Sequence, residues 1–152
     1  MNALCFWLLC LIYFARVKHK AKPTNTIIRG NIMETSKLVA QELAVSDYGY
    51  LSVSHETLRS QDLLPAFLST LDTYRNPSDT EAADLVAQVR QEVPTEAWNN
   101  DAHPYWNTEE AGYLINETLF DALNAICPEG YYFGTLEGDA SDFGFWPCPE
   151  EE

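Results

Sequence analysis

Residues 131–146 read YYFGTLEGDASDFGFW, and they decide the fold. Two aromatic-rich stretches, Tyr131-Tyr132-Phe133-Gly134 and Asp142-Phe143-Gly144-Phe145-Trp146, flank Leu136-Glu137-Gly138-Asp139-Ala140-Ser141. Aromatic side chains suit a pleated, half-buried surface. Gly138-Asp139 supplies the chain reversal. The segment therefore predicts a C-terminal β-hairpin. Gly134 and Gly144 interrupt its strands and point to a bulge or a close backbone approach.

The segment before the hairpin predicts the longest helix, about 108–126. Ala111, Leu114, Ile115, Leu119, Ala122, Leu123 and Ile126 form its apolar stripe. Asn107 or Thr108 is its cap, and Pro128 and Gly130 terminate it. Upstream, Ser78-Asp79-Thr80-Glu81 reads as a capping box, followed by Ala82, Leu85, Val86 and Val89 on one helix face and a stop at Pro94. Another helix is expected from a Ser60 cap, with Pro65 early enough to be tolerated. Its stripe is Leu64, Phe67, Leu68, Leu71 and Tyr74, and Asn76-Pro77 ends it. Tyr50–Ser54 alternates apolar and polar, as a half-buried strand does. Residues 35–45 read as a short first helix. The fold class is α+β: three or four helices on a small antiparallel sheet, with residues 50–54 beside the hairpin.

The segment PEGYYFGTLEGDASDFGFWP, residues 128–147, with the helix before it, resembles a C-terminal signature of small acidic hypothetical proteins of phages and mobile elements. That resemblance implies a genomic setting and no chemistry.

Charge divides the 152-residue chain in two. Arg16, Lys18, Lys20, Lys22 and Arg29 precede the first acidic residue, Glu34. Residues 33–152 hold Lys37, Arg59, Arg75 and Arg90 against 23 acidic groups, so 4 − 23 gives −19. Such a domain repels nucleic-acid backbones and anionic lipid. The expected partner is a protein with a basic or apolar groove, with no direct binding of nucleic acid.

Residues 3–15, ALCFWLLCLIYFA, are apolar but shorter than the roughly 20 residues of an ordinary membrane-spanning helix. The start is uncharged, and the basic residues follow the run, unlike a signal peptide. Two readings stand. Residues 1–32 are either a non-native upstream extension, with the functional chain starting at Met33, or a weak membrane anchor. The first reading draws on the Lys, Asn, Thr and Ile of residues 17–32 and on Arg29-Gly30, whose codons can spell a ribosome-binding sequence. The expected organisation is a single domain over 33–147 followed by an acidic tail, 148–152. The localisation is cytoplasmic, or membrane-associated through residues 3–15.

Chemistry-bearing motifs are scarce. Cys5, Cys10, Cys127 and Cys148 lack metal-ligand spacing and read as free thiols, although Cys127 and Cys148 can lie close in space. Glu137, Asp139 and Asp142 share one turn, but the sixth and twelfth positions counted from Glu137 hold Asp142 and Cys148. The Gly and Glu of an EF-hand are missing there. His103 stands near Asp101, a pair suited to general acid–base work, without an evident nucleophile. Asn116-Glu117-Thr118 fits a glycosylation acceptor but falls within the long helix. No catalytic residue, cofactor or metal is assigned.

The candidate interaction surface is Trp98, Tyr105 and Trp106 in an aromatic loop, with Glu137, Asp139 and Asp142 in the hairpin. The expected function is a small acidic protein-interaction or accessory module. The alternatives are a nucleic-acid-mimicking inhibitor of a defence nuclease and an enzyme using His103.

Overall fold

The computed structural model describes residues 39–149 except Tyr48. The upstream extension or anchor, the Met33 start, Lys37 and the Glu150–Glu152 end of the tail lie outside the described residues. Residues 39–45 are helical (α1) and bury Val39 and Leu43. There follow β1 (Leu51–Ser54), α2 (Ser60–Tyr74), α3 (Thr80–Glu92), two 3₁₀ turns (Ala97–Asn99 and Pro104–Asn107), a long helix α4, and the hairpin β2 (Tyr131–Leu136) and β3 (Asp139–Pro147). The architecture is α+β. Its antiparallel sheet has the order β1-β3-β2, so residue 51–54 pairing closes on the C-terminal strand as expected.

The hairpin strands are longer than their sequence suggests, and the turn is shorter. Leu136 pairs with Asp139, leaving Glu137-Gly138 at the tip, and Gly138 has φ +91°. Glycine enters that left-handed region without a Cβ penalty. A register shift between Thr135 and Leu136 accommodates the extra residues of β3, and another lies between Ser52 and Ser54. The second begins at the Ser52–Gly144 pair, whereas the first is clear of both glycines. Gly134 and Gly144 face each other across β2 and β3. The Trp146 indole lies over this pair: its Nε1–H donates to the Gly134 carbonyl at 3.0 Å, and a Cβ on Gly144 would sit 3.0 Å from its ring. Trp146 also stacks on Tyr50, with centroids 4.9 Å apart. It is buried although it points away from the helices' side of the sheet, where Phe133 and Phe145 stand.

On the helix side, Phe133 is the hub. Its ring lies 5.0 Å from Phe67 of α2, 5.2 Å from Phe145 and 5.5 Å from Phe120 of α4. Phe143 meets Phe67 at 5.3 Å. Each fully buried Phe contributes about 2 kcal/mol, and aromatic pairs at this spacing add edge-to-face attraction.

The starts of α2 and α3 correct the sequence reading by one residue each. Ser60 does not cap α2. Arg59 occupies the cap position, and Thr57 organises the turn by accepting the Arg59 N–H and donating to Asp62. Ser78 does not cap α3 either. Its hydroxyl donates to Asn76 Oδ1, while Asp79 accepts the Ala82 N–H at 3.0 Å. Asn76 competes for the serine because it is buried and its oxygen needs donors.

Thr108 caps α4 by accepting from Ala111 N. The helix has three parts: an α turn at Glu109–Tyr113, a π segment at Leu114–Leu119, and α again at Phe120–Ala125. The buried residues Ala111, Ile115, Leu119 and Leu123 explain the π segment. They recur every four residues, so in a pure α-helix each step overshoots a full turn by about 40°. A wider turn returns the stripe to the core.

Candidate functional site

The loop between α3 and α4 is built from within. The Trp106 indole N–H donates to the Asn100 carbonyl at 3.0 Å, folding residues 100–106 around the ring. Trp98 and Tyr105 meet Trp106 edge-on, at 6.3 and 5.4 Å. Trp106 is a member of the core, with Trp98 and Tyr105 packed half-buried against it. The Tyr105 hydroxyl is enclosed without a hydrogen-bond partner among the described residues. Burial first, then Glu92 and Glu110, push its pKa above the ordinary tyrosine value.

His103 has a structural task in the same loop. Its Nδ1 accepts the Tyr105 N–H at 3.2 Å and caps the turn Pro104–Asn107. The acceptor role places the ring proton of the neutral form on Nε2. Asp101 turns elsewhere: its carboxylate meets Arg59 at 3.3 Å, and its carbonyl accepts from Gln61. Among the described residues that carboxylate pairs with Arg59 of the α2 cap rather than with His103.

The hairpin carboxylates separate by role. Glu137 is exposed at the tip. Asp139 is exposed and accepts both the N–H and the hydroxyl of Ser141, whose hydrogen bonds hold its carboxyl below the ordinary range. Asp142 accepts the Ser52 hydroxyl at 2.7 Å, which ties β3 to β1. These are local backbone and cross-strand bonds. No group of three or more His, Cys, Asp or Glu able to hold a metal occurs among the described residues. Nor is any helix among them long and apolar enough to cross a membrane. The six candidate surface residues thus fall on two elements, the loop before α4 and the hairpin.

Spacing in the sequence did not reveal a third feature. Asp72 of α2 bridges Arg75 at 2.9 Å and Arg90 of α3 at 2.7 Å. Hydrogen bonds from Arg75 and then Arg90 hold the Asp72 carboxyl below its usual range, against a smaller opposing effect of burial. With Arg59 held by Asp62 and Asp101, every arginine among the described residues is paired inside the fold. Beside the Asp72–Arg90 bridge lies an open groove of about 620 Å³ between α2, the end of α3 and the loop that carries Trp98. The one available clue was Asp72 and Arg75, three apart, in a domain with few basic residues.

Cys127 and Cys148 are free thiols. The Cys148 N–H donates to the Gly130 carbonyl at 2.8 Å, continuing the β2–β3 pairing past Pro147. Cys127 is half-buried, and its thiol contacts the Leu123 carbonyl at 3.5 Å. Burial pushes the Cys127 thiol up to about 12.

No protein family, curated protein or solved structure was found to match the chain.

Proposed function

We propose that this chain is an acidic protein-interaction or accessory module, acting in the cytoplasm on a partner that presents basic groups. The observation that carries the reading is the closure of positive charge. Residues 39–149 hold 3 arginines, no lysine and 19 Asp and Glu, so 3 − 19 gives −16. All three arginines are engaged by Asp62, Asp72 and Asp101. The remaining acidic side chains set the field that a partner meets, and such a field speeds association with a basic surface. His103 acts as a cap, which supports a reading without catalysis. The sequence resemblance adds a phage or mobile-element setting to the proposal.

A second reading, mimicry of nucleic acid, is favoured by one feature. The outer face of α4 exposes Glu109, Glu110, Glu117 and Asp121 on a single rod. One experiment separates the two. The chain is immobilised and partners are captured from its native host, and binding is then titrated with salt and with duplex DNA or RNA. Interaction through charge predicts affinity that falls as salt rises. Mimicry further predicts that the partner's nucleic acid displaces the chain. Binding that ignores both salt and nucleic acid would overturn both readings.

A further inference from the structure

We draw no further inference here: the strongest candidate, the open groove between α2, the end of α3 and the loop that carries Trp98, carries nothing because nothing in the structure shows what covers it.

Discussion

Gly144 has no room for a side chain. A Cβ there would stand 2.4 Å from the Leu51 carbonyl oxygen and 3.0 Å from Ser52 Cα, both of them backbone atoms of β1. Neither can swing aside as a side chain can, so β1 would have to leave β3. Gly144→Ala should cost about 3 kcal/mol, the upper part of the range for overpacking. Gly112 makes the opposite case. It lies in α4 with nothing within 4 Å of its absent Cβ, so Gly112→Ala should gain about 0.5–1 kcal/mol. Urea melts of both variants check the pair, and equal midpoints would refute the account. The sequence marked Gly144 as a close approach or a bulge without deciding between them. The neighbour that decides it, β1, lies some ninety residues earlier, beyond the reach of local pattern.

Cys127 gives a second test at this scale. With its thiol pushed up to about 12, only about one molecule in ten thousand carries the thiolate at pH 8, and the thiolate is the nucleophile. Iodoacetamide at pH 8 should modify exposed Cys148 and spare Cys127 until denaturant is added, as read by peptide mass spectrometry. Equal labelling of the two in the native chain would show that Cys127 is not shielded.

Between elements, Asn124 joins α4 to the outer edge of β2. Its side-chain nitrogen donates to the Phe133 carbonyl and its oxygen accepts the Phe133 N–H, both at 3.1 Å. The amide thereby imitates a neighbouring strand and closes an edge that would otherwise offer pairing to another chain. The same nitrogen donates to the Phe120 carbonyl. Asn124→Ala leaves these groups unmet and should cost about 2–3 kcal/mol. Asn124→Asp keeps the acceptor for Phe133 N–H but sets a carboxylate against two carbonyls. Those neighbours disfavour the charged form, so its folded pKa lies above its unfolded value. Stability is therefore regained as pH falls and the proton arrives. The melting-temperature gap between Asn124→Asp and the parent should narrow from pH 7 to pH 4, and a gap that widens would sink this account.

The elements themselves were legible because each carries its own period. The alternation of residues 50–54, the stripes of α2 and α4 and the aromatic hairpin are local patterns, and the antiparallel sheet followed from them. The caps of α2 and α3 were misplaced by one: Asn76 takes the Ser78 hydroxyl, and Thr57, three residues before Ser60, holds the Arg59 N–H and the Asp62 carboxylate at the start of α2. The π segment had a signal, the four-residue spacing of Ala111, Ile115, Leu119 and Leu123, which a helical template absorbs too readily. The aromatic loop read as surface because it lacks a period, yet Trp106 is core: a single bond to the Asn100 carbonyl turns it inward. The groove was out of reach because α2, Arg90 and Trp98 meet only in three dimensions.

For the molecule as a whole, the question is whether its charges help or oppose folding. Among the described residues four ion-pair contacts attract: Arg59 with Asp62 and Asp101, and Asp72 with Arg75 and Arg90. Most of the partners are partly or largely exposed, and such pairs are worth roughly 0–1 kcal/mol each. Against them stands an excess of 16 negative charges over residues 39–149, which repel one another more strongly in the compact state than in the expanded one. Repulsion among many charges is long-ranged, whereas the paired contacts span 2.7–3.3 Å. Salt distinguishes them, since the Debye length falls from about 30 Å at 0.01 M to about 8 Å at 0.15 M. It screens distant repulsion well before it weakens a contact pair. The melting temperature should therefore rise by several degrees between 0.01 and 0.15 M sodium chloride at pH 7, as about 1 kcal/mol shifts a domain of this size. Asp72→Asn, which removes a negative charge and its two pairs together, should start lower and keep a similar upward slope. A melting temperature that falls with added salt would mean that the few ion pairs outweigh the field of the whole. The acidic surface would then be a stabilising feature of the fold instead of an unmet demand for a basic partner.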